Sequence, residues 1–442
     1  MGNVCRNFNL LSGLVASLNR NNKKILSWAL YDWANSVYST TVMAGFFPIF
    51  FEKYWSNPED VIQSTYQLGI ANSLSSIIIA LIAPILGAIA DKGSVKKKLL
   101  ILFAFLGVVM TGGLWFVQQG EWKVAIFFYV ISSVGFMAGN IFYDSLLPSV
   151  AGKDKVDYVS SLGFSLGYLG GGLLFLVNVN MYLYPEWFGI SDSSTAIRLS
   201  FVSVAVWWGI FTIPIILYVP EPSKSHTISI KDALARGYQQ LKETYIHIRE
   251  MKIIGTFLLA YWLYEDGVAT IIRMAVKIGS AMGFASSDLI MAILMVQFIG
   301  FPAALFYNWF GKKIGVKNAV MFAIFGYGII TLLGYFMVER IHFYLLAALI
   351  GLFQGGLQAL SRSLYTRLVP ANREAEFFGF YNMLGKFAAV VGPVLMGWIT
   401  LITGNPRTGL LSIVLLFILG GLLLKKVDFE EGERIAMEFG KN

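Results

Sequence analysis

Residues 27–40 read SWALYDWANSVYST and open a mostly apolar run that continues to Phe51. A helix of about 20 apolar residues crosses a bilayer, so the run has the length to span, yet Asp32 and Asn35 sit near its start. On a helix Asp32, Asn35, Ser36 and Ser39 fall at i, i+3, i+4 and i+7 and share one face. A charged group in hydrocarbon is costly. A polar stripe on a helix otherwise suited to lipid must therefore face protein or water, and other spans must supply the remaining walls of such an interior.

The composition agrees with a membrane protein. Of 442 residues, 56% are hydrophobic and 14% charged, where a soluble domain carries roughly a quarter charged residues. The single cysteine, Cys5, excludes an internal disulfide and a cysteine-rich metal site. His226, His247 and His342 form no ligand spacing. The formal charge of +8 sits at membrane edges and does not indicate nucleic acid. Residues 1–24 lack the pattern of a cleavable signal and are expected to form a short amphipathic cytoplasmic arm. No nucleotide-binding G-x-x-x-x-G-K-[ST] loop is present. The chain is expected not to be an enzyme and to need no cofactor, with energy drawn from a gradient, most simply of protons.

Twelve stretches are long and apolar enough to span: 27–51, 66–90, 98–118, 123–147, 157–180, 198–219, 253–275, 286–310, 318–338, 342–366, 375–402 and 407–425. Lipid leaves backbone groups no outside partner, so these are helices. With the N-terminus in the cytoplasm, 25 of the 34 Lys and Arg residues fall on the inner side and seven on the outer. That asymmetry places both termini in the cytoplasm. The expected organisation is a cytoplasmic arm (1–26), a six-helix bundle (27–219), a cytoplasmic linker with an amphipathic helix (220–252), a second six-helix bundle (253–425) and a cytoplasmic tail (426–442).

The halves resemble one another. Pro148, Leu162 and Gly170 pair with Pro370, Leu384 and Gly392 at one offset of 222 residues. Leu30-Tyr31-Asp32 in the first span matches Leu263-Tyr264-Glu265 in the seventh, and the prolines and lysine clusters around spans two and eight correspond. Duplication of this kind marks secondary transporters, whose sites lie between repeats.

Gly87-Ala-Ile-Ala-Asp91-Lys92, followed by Lys96–Lys98, resembles the cytoplasmic loop motif of the major facilitator superfamily, with Gly93 one place early and Ser94 where the motif has glycine. YDWANS (31–36), VMAGFFP (42–48) and LYEDG (263–267) look like the vacuole-effluxer-like, or "unknown major facilitator", family. The resemblance covers essentially the whole chain. It implies an all-α membrane protein of 12 transmembrane helices in two pseudo-symmetric six-helix bundles, the major facilitator fold, with helices one, four, seven and ten around a central cavity.

Buried charge and amide fall largely on those helices. Asp32, Asn35 and Ser36 lie on the first, Asn140, Tyr143 and Asp144 on the fourth, Glu265 and Asp266 on the seventh, and Gln354, Gln358 and Arg362 on the tenth. All are candidates for substrate binding or coupling. Asp32 is alternatively a structural hydrogen-bonder, and Asp144 a gating partner of Arg362 or Arg367. Glu265 and Asp266 point about 100° apart, so one of them faces the cavity. Arg273 either pairs with Asp266 or snorkels to the interface. Arg362 suits an anionic group, because its fork matches a carboxylate; the alternative is a pairing with Asp144 that ties the halves. Asp91, Lys92 and Lys386 are candidate gate residues. Trp28, Tyr31, Trp33, Tyr143, Trp262, Tyr264 and Tyr365 are expected near the cavity wall.

The expected function is secondary active transport of a small polar or zwitterionic solute, amino-acid-like as the resemblance implies, by proton-coupled alternating access through Asp32 or Glu265. Alternatives are a sugar, drug-like or siderophore-type solute, or a membrane receptor that does not transport. The expected partners are the solute and lipid, without nucleic acid. A monomer in a bacterial inner membrane is expected.

Overall fold

The computed structural model describes residues 19–57, 59–221, 252–281, 283–387 and 391–439, and the regular structure among them is helical. The first half holds α1 (Arg20–Val37), α2 (Phe47–Phe50), α3 (Val61–Gly93), α4 (Lys96–Gly113), α5 (Trp122–Ala151), α6 (Val156–Leu183) and α7 (Ser193–Tyr218). The second holds α8 (Lys252–Ala281), α9 (Ser286–Ile314), α10 (Val316–Tyr335), α11 (Arg340–Leu368), α12 (Glu374–Phe387), α13 (Val391–Thr403), α14 (Pro406–Leu411), α15 (Val414–Lys426) and α16 (Phe429–Phe439). The expected arm up to residue 18 and the expected amphipathic linker helix lie outside the described residues.

Among the described residues nine helices are long and apolar enough to cross a membrane. The expected spans 27–51, 253–275 and 375–402 are not among the nine, although they too are helical over their described parts. In the first, α1 passes at Tyr38 into π-helical turns that run to Phe46. The Ser39 and Thr40 hydroxyls both donate to the Ser36 carbonyl, at 2.9 and 3.0 Å. Such bonds compete with the backbone ladder, and π-helical turns recur at functional sites. Within the expected tail 426–442, residues Phe429–Phe439 fold as α16.

Buried apolar side chains form two clusters. One draws on residues 25–219 with Ile290, Leu294 and Ala375; the other draws on residues 254–427. Small residues let the polar helices approach. A Cβ on Gly167 would lie 2.6 Å from Ser36 Oγ, and one on Gly163 would lie 2.8 Å from Asp32 Oδ2. The row Gly163, Gly167 and Gly171 therefore presses α6 onto the polar stripe of α1.

The repeated glycines make equivalent contacts. Gly163 meets Trp28 and Gly170 meets Trp33, while Gly385 meets Tyr261 and Gly392 meets Asp266. The glycines are related by one offset, 222 residues for both Gly163 to Gly385 and Gly170 to Gly392, and their partners by another, 233 residues for Trp28 to Tyr261 and for Trp33 to Asp266. Between the halves, α6 packs on α9 and α11, and α3 packs on α12.

Candidate functional site

A cavity of about 460 Å³ lies where the halves meet. Asp32, Asn35, Ser36, Asn140, Asp144, Glu265, Gln354, Gln358 and Arg362 all line it, from α1, α5, α8 and α11. Helical spacing on the four helices thus brings nine of the eleven candidate binding residues to one space. Asn35 donates to Asn140 Oδ1 at 2.6 Å, and Tyr168 donates to Gln358 Oε1 at 3.1 Å. Glu265 contributes a carboxylate to the same wall, with Gln358 Nε2 at 3.5 Å.

The cavity floor is an ion-pair cluster. Arg362 is only 3% exposed. Its Nη1 donates to Asp144 Oδ1 at 2.9 Å and its Nε to Ser160 Oγ at 3.0 Å. Its Nη2 donates to the Ser160 carbonyl at 3.0 Å and faces Asp32 Oδ2 at 3.5 Å. The guanidinium also lies over the Phe164 ring, 4.2 Å from its centroid. Tyr143 donates to Asp32 Oδ2 at 2.9 Å, and Asn382 donates to Asp144 Oδ2 at 3.0 Å. Arg362 therefore occupies the alternative role: it ties α11 to α1, α5 and α6, and its fork is already engaged by residues of the first half. A buried guanidinium needs such company, because an unpaired charge in a dry interior costs several kcal/mol.

Two candidate binding residues sit off the cavity. Asp266 is fully buried and accepts the backbone N–H groups of Val391 (2.8 Å) and Gly392 (2.9 Å) at the start of α13. It also accepts from Thr270 Oγ1. The Asp266 carboxylate is thus engaged by backbone N–H groups of α13, away from the cavity. Arg273 is exposed and forms no ion pair with Asp266. Tyr143 stacks on Trp28 at 4.2 Å behind Asp32 and reaches the site through its bond to that carboxylate and through its ring, whose centroid is 5.4 Å from the Arg362 guanidinium. The aromatic walls are Phe136, Phe164, Tyr168, Tyr261 and Tyr381; none of the seven aromatics expected near the wall lines it.

On the side of the Lys96–Lys98 turn the halves are pinned together. Asp91 accepts the backbone N–H groups of Ala375 (3.1 Å) and Glu376 (2.9 Å) and pairs with Lys96 at 2.7 Å. Lys96 also pairs with Glu374 at 2.6 Å. Among the gate candidates Asp91 is at this junction, whereas Lys92 forms no ion pair with a described residue; Lys96, one turn on, is buried and supplies the cation. The Lys386 side chain lies outside the described residues. A second layer joins Arg367 Nη2 to Asp157 Oδ2 at 2.8 Å, with Ser363 donating to the same carboxylate.

Sequence reasoning missed Ser160, Asn382, Gln297 and Asp157. Gln297, a lone amide in an apolar span, carried a signal; it bonds Thr40 across the halves. Ser160 did not, because a serine in a span is ordinary and only its neighbour Arg362 gives it a role.

Comparison with known proteins agrees with this geometry. A family model described as vacuole effluxer Atg22 like matches residues 61–437. An uncharacterized MFS-type transporter of Bacillus subtilis, YxiO, is 36% identical over 423 residues, covering 95% of this chain and 98% of its own length. Autophagy-related protein 22 of Saccharomyces cerevisiae strain S288c is 26% identical over 430 residues, covering 84% and 79%. Among solved structures, the proton:xylose symporter XylE bound to 6-bromo-6-deoxy-D-glucose superposes with a TM-score of 0.69 at 15% identity, over 96% of this chain and 99% of that one. The human organic anion transporter MFSD10 superposes with a TM-score of 0.70 at 13% identity, over 92% and 100%. At these identities the solved structures speak for the fold alone, which is that of the major facilitator superfamily.

Proposed function

The chain belongs to the vacuole effluxer Atg22-like family of major facilitator transporters, and from that premise we propose that it moves a small polar or zwitterionic, amino-acid-like solute by proton-coupled alternating access. The observation that carries this is the polar cavity between the halves, floored by ion pairs that cross from one half to the other. Such a site changes sides when the halves rock about it.

All four ion pairs that join the halves among the described residues lie at the cavity floor or toward the lysine-rich end. With both termini and the lysine-rich turns in the cytoplasm, this arrangement is closed inward and receives solute from outside. Twelve spans and a bacterial inner membrane complete the proposal. Asp32 and Glu265 supply the carboxylates for coupling. Asp32 is the more direct, because it touches both the cavity and the cross-half cluster.

The test is uptake into proteoliposomes under an imposed pH gradient, with a panel of amino acids, sugars and siderophores. Solute-dependent flux is expected, and Asp32→Asn or Glu265→Gln is expected to remove its pH dependence. Undiminished pH-driven flux in a variant removes that residue from coupling, and binding without flux favours a receptor.

A further inference from the structure

The polar cavity is not closed by polar residues on every side. A second chamber of about 220 Å³ adjoins it and shares Ser39, Thr40, Tyr168, Gln297 and Gln354 as common wall. Beyond those five residues its lining is almost wholly hydrocarbon: Ile272 from α8, Leu289 and Ile293 from α9, and Phe343, Ala347 and Ile350 from α11.

The change of character follows the helices. Gln354, Ile350, Ala347 and Phe343 stand at i, i−4, i−7 and i−11 on one face of α11, and Gln297, Ile293 and Leu289 step by four along α9. Within one turn of each helix the wall passes from amide to alkyl. On α11 the chamber side of that change points away from Arg362, so the apolar chamber and the ionic floor lie at opposite ends of a continuous space.

Resting on the transport reading above, we propose that this chamber receives a hydrocarbon arm of the solute, whose polar head lies against Glu265, Gln358 and the Asn35–Asn140 pair. The transported class is then a solute with one polar pole and one compact apolar arm. A solute polar all round would leave the alkyl wall facing water, whereas an apolar arm removes both surfaces from water. An apolar cavity of about 150 Å³ is enough to hold benzene, so the chamber takes an arm of about four to seven carbons. Ala347 and Ala292, two of the three alanines of the lining, set the depth and act as specificity-determining positions.

The test measures binding to the purified full-length protein by thermal shift. Three homologous series are used: α-amino acids, alkyl carboxylates and alkylamines, each with an unbranched arm that runs from no carbons to about nine, past the capacity of the chamber. In the series whose head fits, affinity is expected to rise about fourfold per methylene and to level off once the chamber is full. Ala347→Phe, which fills the chamber, and Ala292→Leu, a milder change that guards against misfolding, are expected to flatten that slope. The slope is the readout, whatever the absolute affinity of the variant.

Affinity independent of arm length in every series, no binding in any series, or an unchanged slope in both filled variants would each overturn the proposal. The transport reading fails separately: graded binding without flux in liposomes would sink transport and keep the chamber, whereas flux indifferent to arm length would sink the chamber and keep transport.

Discussion

Arg362 shows what a single residue can and cannot do here. Each nitrogen of its guanidinium meets a partner, and every polar partner belongs to the other half of the chain. A solute carboxylate reaches those donors only by displacing Asp144, Asp32 or Ser160. Removing one member of a buried pair costs about 3–5 kcal/mol, because the other charge stays behind uncompensated. Arg362→Gln is therefore expected to lower the unfolding temperature in detergent sharply, and Arg362→Gln with Asp144→Asn to lower it by less than the two single changes combined. A double-mutant cycle on thermal unfolding measures that coupling; strict additivity would mean that the pair contributes nothing jointly. Asp266 makes the same point in a different place. Its charge is met by two backbone N–H groups of α13, so Asp266→Asn is expected to affect stability before it affects solute affinity, as unfolding and binding measured on one sample would report.

At the scale of elements, two junctions close the lysine-rich end. At the first, α3 meets α12 so tightly that a Cβ on Gly87 would lie 2.3 Å from the Ala375 carbonyl oxygen. Backbone cannot step aside as a flexible side chain can, so Gly87→Val is expected to hold this end apart. A cysteine placed by Ser363→Cys in a Cys5→Ser background should then label faster from the lysine-rich side, and unchanged labelling would show that the junction yields. At the second, α16 lies across the same lysine-rich end. Gly432 packs against Leu368, where an added Cβ would lie 2.4 Å from Cδ2, Glu433 faces Arg367 at 3.8 Å, and Lys153 of the first half reaches Met437. Overpacking of this kind costs about 1–3 kcal/mol. Gly432→Val is accordingly expected to reduce thermal stability by about that amount, since the tail is a packed element and not a free end.

At the scale of the whole molecule, transport requires that the two halves part where they now touch. Asp157 on α6 and Ser363 on α11 are in hydrogen-bond contact across that boundary. Cysteines at both positions, in a Cys5→Ser background, are expected to form a disulfide that stops flux, with reduction restoring it. Flux that continues through a fully formed cross-link would show that solute passes without separation of the halves at this end.

Charge, hydropathy and spacing were enough to make the chain a helical membrane protein, to reveal its duplication and to gather most of the cavity residues, because a polar side chain in a lipid-suited helix has few places to point and period 3.6 says which neighbours share its face. Asp32, Asn35, Asn140, Gln354 and Gln358 were legible for that reason. What those groups do to one another depends on contacts between distant segments, and no local periodicity encodes them. Whether Arg362 waits for an anion or is bound by Asp144 and Ser160, whether Glu265 or Asp266 faces the cavity, and whether Lys92 or Lys96 meets Asp91 were settled only when the helices were packed. A charge states its need for a partner in the sequence; the tertiary structure, which sets the few ångströms that separate an ion pair from an open site, chooses the partner.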